Sequence, residues 1–183
     1  MFTLIRHGGW ERRWPVAIAT GLLLAVAGQA GAQAAHSATW RAATPDEVRS
    51  VIPERAPVVT ERVETESASA SGIVNSDGKF IAAAVLITAG YSANGKYSDY
   101  LTTQVPLKIA GVVLPPGGYL LGWTSGDDGL HVKISEATTG KLLVEATATR
   151  SAALHRVEQI RIWPPPGQSM IQLGRFVLSY TLP

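Results

Sequence analysis

The chain has 183 residues, a formal net charge of +2 and no cysteine. Without thiols there is no disulfide, no thiolate zinc site, no thiol nucleophile and no lipid-modified N-terminal cysteine. Its Lys and Arg residues form no cluster, so it lacks the electrostatic footprint that nucleic acid or an anionic membrane surface requires.

In chain order, Arg6, Arg12 and Arg13 precede an uncharged apolar run of 13 residues, 16–28, and a small-residue stretch that ends in Ala32-Gln33-Ala34. A basic n-region, a short h-region and an A-x-A site are the parts of a secretory signal peptide. The run is shorter than the ~20 residues that cross a bilayer, so residues 1–34 are expected to be cleaved, leaving no stable membrane insertion. Arg12-Arg13 also raises the twin-arginine route, but Glu11 before the pair and Pro15 after it fit that motif poorly. Once residues 1–34 are removed, 13 basic and 13 acidic residues remain and cancel. An exported domain without cysteine or an Asn-x-Ser/Thr sequon fits a bacterial periplasm or exterior better than a eukaryotic secretory route.

Residues 35–57 read as an N-terminal segment. Residues 35–43 show no periodicity and are expected to be loose. Thr44-Pro45-Asp46-Glu47 then has the form of a capping box, with Pro45 at the first helical position and Glu47 at N3. Pro53 ends this helix after about two turns. A helix so short is marginal alone, so Val48, Val51 and Ile52 must dock on the main body.

Residues 58–183 read as one β domain. The polar stretch 60–66 is taken as a solvated edge strand that runs into Ile73-Val74 and the turn Asn75-Ser76-Asp77-Gly78. The apolar run 79–88 is strand-length, rich in β-branched residues and bracketed by turn residues, which favours a strand over a buried helix. Asn94-Gly95 is a hairpin signal, with 97–105 as the return strand. Further strands are predicted at 107–114, with a weak point at Ala110-Gly111, and at 119–124, 130–136, 142–149, 155–163, 170–173 and 175–182. Their separators are Pro115-Pro116-Gly117-Gly118, Ser125-Gly126-Asp127-Asp128-Gly129, Thr138-Thr139-Gly140-Lys141 and Pro164-Pro165-Pro166-Gly167. Many short strands between Gly/Pro/Asp/Asn turns, with one short helix, predict an all-β antiparallel β-sandwich or a barrel-like variant of it.

The pattern Ile109-x-Gly111-x-x-Leu114-Pro115-x-Gly117-x-Tyr119-x-Leu121 resembles a segment of a secreted bacterial β-sandwich family without an established function. Physically it reads as a strand, a tight turn at Pro-Pro-Gly-Gly and a return strand whose Tyr119 and Leu121 point inward. The resemblance implies the fold and an extracellular location, and it brings no catalytic residues.

Candidate chemistry is sparse. Asp127, Asp128 and His131 form the densest polar group and are the only candidates for a metal or an acid–base pair. Gly-Asp-Asp-Gly is also an ordinary hairpin turn, and that reading is preferred. His36, His131 and His155 share no metal-ligand spacing. No G-x-S-x-G frame marks a nucleophilic serine, and Gly117-Gly118 lacks the Lys and helix of a phosphate loop. Tyr91, Tyr97 and Tyr100 around the Asn94-Gly95 hairpin, with Trp123 and Trp163 at strand ends, are the candidate binding residues, since exposed rings make stacking platforms on β modules. The resulting expectation is an exported non-enzymatic binding module that needs no cofactor, its partner a carbohydrate, a peptide or an envelope protein. Two alternatives stand beside it: a structural or assembly role through an edge strand, and a metal-dependent hydrolase built on Asp127, Asp128 and His131.

Overall fold

Turn residues cut the chain into short strands, as their spacing requires. The computed structural model describes residues 38–88 and 96–183. Among them are β1 (Trp40–Ala42), α1 (Pro45–Val51), β2 (Arg55–Val58), β3 (Glu61–Glu64), β4 (Ser71–Asn75), β5 (Phe80–Val85), β6 (Asp99–Thr103) and β7 (Leu107–Ile109). There follow β8 (Val112–Leu114), β9 (Gly117–Gly126), β10 (Gly129–Glu136), β11 (Leu142–Arg150), β12 (Glu158–Trp163), β13 (Met170–Gly174) and β14 (Phe176–Thr181). The fold is all-β, with a single α-helix among the described residues.

One large antiparallel sheet runs in the order β1-β4-β5-β6-β9-β10-β11-β14-β13-β12, with the β7–β8 hairpin attached through β14. The sheet curls until β12, at one end of the order, packs against β4 and β5 near the other. The Ile162 amide donates to Ser71 Oγ at 3.1 Å across this junction. No ladder joins β12 to β4, so the result is a sandwich-like curl and not a closed barrel.

The inner face of the curl is lined by Ile81, Leu101, Tyr119, Leu121, Leu130, Ile134, Ile162 and Ile171 among others, all buried. Each such side chain gains about 1.5–3 kcal/mol by leaving water. A second core lies on the opposite face, where α1 and the β2–β3 hairpin place Val48, Ile52, Ala56 and Val58 over Ala82, Ala84, Tyr100 and Leu120. The strand β5 is therefore buried on both sides, which is why 79–88 lacks alternation. Its second face carries alanines because the covering layer lies close. A Cβ on Gly72 would stand 3.0 Å from Ala82 Cβ and 3.2 Å from a Val48 methyl.

The helix starts as its sequence requires. Thr44 Oγ1 accepts from the Glu47 amide at 3.3 Å, and the Thr44 amide donates to the Glu47 carboxylate at 2.8 Å. Arg41 clamps the same carboxylate with two hydrogen bonds and, with the Thr44 amide, holds it well below the usual range, at about 2. Val48 and Ile52 are buried beneath it and Val51 is half-buried.

Four expectations need correction. Residues 35–43 are not loose throughout, because Trp40–Ala42 pairs with β4 in register Trp40↔Asn75. The polar stretch 60–66 does not run into Ile73-Val74. Its strand β3 pairs only with β2, and a single 3-10 turn at Ser67–Ser69 separates it from β4. Residues 107–114 are two strands, because Ala110 and Gly111 both take positive φ (48° and 84°) and close a two-residue hairpin. Such a hairpin needs the left-handed conformation at both central positions. Pro115-Pro116 then carries the chain from β8 to β9, which do not pair with each other, so this turn is a crossing and not a hairpin. Tyr119 and Leu121 do point into the inner core.

Candidate functional site

Alternation along the strands decides what faces the inside of the curl. On β9, Tyr119 and Leu121 belong to the inner core, and Trp123 and Ser125 continue the same parity toward the open end of the curl. On β6, Leu101 faces inward and Asp99 shares its face, while Tyr100 faces the second core. At this end the inner core opens into a cavity of about 620 Å³. Its walls come from Val85 and Leu86 after β5, Ser98 and Asp99 before and on β6, Trp123 and Ser125 on β9, and Leu130 on β10. The far side is completed by the start of β12, with Glu158, and by the β13–β14 turn, with Leu173, Arg175 and Phe176. That volume, with a mostly apolar lining and a few polar groups, is typical of small-molecule sites.

Asp99 is the chemically unusual residue. It is 3% exposed, and its Oδ2 is buried with no hydrogen-bond partner. The Trp123 side chain lies close enough to the carboxyl to favour its charged form. Burial outweighs that influence and pushes the group up to about 7 from 3.8. Strand pairing holds it in place, with Asp99 opposite Val85 on one side and Leu121 on the other. Around it the Leu86 amide donates to Ser98 O at 2.9 Å, and the Ser98 amide donates to Leu121 O at 2.6 Å. The two ladders fix the backbone of Asp99 and so set the face its side chain enters, which is where the orphaned oxygen is buried.

Two other charged residues line the cavity. Glu158 is half-buried and lies 3.5 Å from Arg161 and 3.7 Å from Arg156. Arg175 is exposed on the turn between β13 and β14.

The aromatic residues proposed from sequence are not gathered into one exposed platform among the described residues. Tyr97 and Tyr100 are each 6% exposed and belong to the second core. Tyr100 packs against Gly118, where a Cβ would stand 2.5 Å from its hydroxyl and 3.1 Å from its ring, so the glycine makes room for the tyrosine. Trp123 is the one that reaches the cavity, and at 36% exposure it is partly wet. Trp163 sits elsewhere. Its indole donates to the buried Gln172 at 3.1 Å, and the Arg161 guanidinium covers its ring at 4.2 Å. Tyr91 lies outside the described residues.

Asp127 and Asp128 form the two-residue turn between β9 and β10, closed by the pair Gly126↔Gly129. Gly129 is demanded both by its φ of 145° and by space, since a Cβ there would fall 2.3 Å from Ala148 O. A Cβ on Gly126 would fall 2.2 Å from His131 Nε2, so the imidazole would have to swing aside. His131 Nε2 lies 3.1 Å from Asp128 Oδ1, with both side chains more than half exposed. Among the described residues, no three His, Asp or Glu side chains converge to hold a metal ion.

Asp99 escaped the sequence reading because Ser98-Asp99 looks like the polar lead-in to a strand. One signal was available: Asp99 has the same parity as the apolar Leu101, so on a strand both enter the same face. No family model, curated protein or solved structure matches the chain.

Proposed function

We propose that this protein is an exported, non-enzymatic binding module that holds a small, largely apolar molecule in the cavity at the open end of its curled sheet. The observation that carries this reading is the cavity of about 620 Å³ with a buried, half-satisfied carboxyl in its wall. A space lined by Val85, Leu86, Leu130, Leu173 and Phe176 gains free energy when an apolar body displaces its water. Export and a bacterial envelope location rest on the basic n-region, the short apolar run and the cysteine-free composition. A small molecule replaces the carbohydrate or peptide expected from the aromatic residues, because Tyr97 and Tyr100 are buried.

The test is binding of an apolar fluorescent dye, measured with a Ser125→Phe variant. Ser125 is exposed at the cavity rim, so a ring there fills the mouth without entering the packed core. Stoichiometric dye binding should fall at least about tenfold in the variant, while its melting temperature stays within a few degrees. Equal binding by both proteins would place the dye elsewhere and end this reading.

A second reading, assembly through an edge strand, draws support from β8. Among the described residues it pairs only with β7, and Val112 and Val113 are 41% and 49% exposed. Exposed valines on a strand with a free edge are a template for another chain.

A further inference from the structure

We infer that the ligand class of the cavity is an amine with an apolar body, its ammonium seated on the Asp99 carboxyl and its hydrocarbon part against Trp123, Phe176, Leu130 and Leu173. The inference rests on the proposal that the cavity is a binding site and adds the chemistry of what enters it.

Three observations point to this class. First, Asp99 Oδ2 is a buried acceptor without a donor in a largely apolar wall. An ionised carboxylate accepts and never donates, so the group that completes it must bring N–H or O–H, and an ammonium brings three donors together with the opposite charge. Second, among the described residues no Lys, Arg or His side chain pairs with the Asp99 carboxyl. Burial raises the carboxyl toward its neutral form, and the only opposing influence is the Trp123 indole. The charged groups that line the same cavity are Glu158, which faces Arg156 and Arg161, and Arg175, which is exposed at the rim. Third, Trp123 both favours the charged form of the carboxyl and forms a wall of the cavity. A cation beside an indole face gains a further attraction that a neutral alcohol lacks.

Oδ2 is sealed from solvent, so the ligand must shift its cover. Trp123 lines the same cavity and is one-third exposed, so it is the wall residue whose movement would uncover the oxygen. Binding therefore changes Trp123 fluorescence as well as heat content.

The experiment titrates the protein with octylammonium, octanol and octanoate at about pH 8, where Asp99 is mostly ionised if free. Calorimetry and tryptophan fluorescence are read together. Octylammonium should bind at least about tenfold more tightly than octanol, with octanoate weakest. In Asp99→Asn the amine should lose that advantage while octanol binding persists, and in Glu158→Gln the advantage should remain. If the Asn variant does not fold, the wild-type comparison at about pH 5 takes its place, since protonating Asp99 must shrink the amine-to-octanol ratio. Octanol and octylammonium binding equally would overturn the amine class and leave the apolar cavity standing. Tightest binding by octanoate, abolished in Arg175→Ala, would overturn it in favour of an acid read at the rim. Loss of the amine preference in Glu158→Gln alone would move the cation off Asp99. Binding of none of the three would overturn both this inference and the reading it rests on.

Discussion

Asp99 and the Asp127–Asp128–His131 group stand at opposite extremes of what an acidic residue can be in one fold. The turn group has two carboxylates and an imidazole within five residues, yet Asp128 and His131 are more than half exposed and meet across 3.1 Å in solvent. Asp99 has no acidic or basic neighbour in sequence nearer than Lys96, yet it is 3% exposed with one oxygen unpartnered. Water screens the first group so strongly that its interactions contribute little. The absence of water leaves the second in the neutral-or-paired choice that defines a binding or switching carboxyl. Chemical potential in this chain follows burial, and the density of polar letters is a poor guide to it.

The sharpest way to break the comparison is a pH series of unfolding free energies for the wild type and Asp99→Asn. The folded-state pKa is raised to about 7 against 3.8 in the unfolded chain. Below about pH 4 both states are protonated, and the carboxyl costs nothing. Between about pH 4 and 7 the unfolded chain ionises first, so the wild type loses stability relative to the Asn variant as pH rises. Above that window the gap should level off, on the order of 4 kcal/mol at most. Parallel pH profiles for the two proteins would mean that Asp99 is solvated after all.

A smaller effect of the same kind separates a packed ring from a ligand platform. Tyr100→Ala should cost roughly 3 kcal/mol in chemical denaturation, because the ring fills the second core over Gly118. Octanol affinity should change little, since Tyr100 faces away from the cavity. An Ala variant that keeps its stability but loses affinity would restore Tyr100 to the binding surface.

The smallest expected effect belongs to the turn. Replacing Asp127, Asp128 and His131 together with Ala should move stability by only ~0.5 kcal/mol per position, provided Gly126 and Gly129 remain. If instead the wild type binds a divalent cation in calorimetry and the triple variant does not, the turn is a site and the contrast with Asp99 collapses.

Local rules in this chain were readable where a few neighbouring residues settle them. Thr44, Pro45 and Glu47 specify a helix start by their own hydrogen bonds, and the structure has that start. Asn75–Gly78 turns β4 into β5, with Asn75 Oδ1 accepting from the amides of Asp77 and Lys79. The unbroken apolar run 79–88 was read as a strand, and its burial on both faces explains the missing alternation. Reading failed where partners are distant. Trp40–Ala42 has no internal signal, and only the offered edge of β4 makes it a strand. Ala110-Gly111 lost to the louder Pro115-Pro116-Gly117-Gly118, although the quieter pair forms the hairpin.

The sequence by itself determined the class of the object: cysteine-free, strand-rich, punctuated by turns and carrying a capped helix near Thr44. These are consequences of interactions within a handful of residues, and they need no knowledge of the rest. Only the tertiary structure decided that the sheet curls instead of lying flat, and that α1 and the β2–β3 hairpin cover one of its faces. It alone brought Val85, Asp99, Trp123, Leu130 and Leu173 around one space. Removing a carboxyl from water is a property of everything packed around it, and the residues that do so for Asp99 come from strands far apart in the chain.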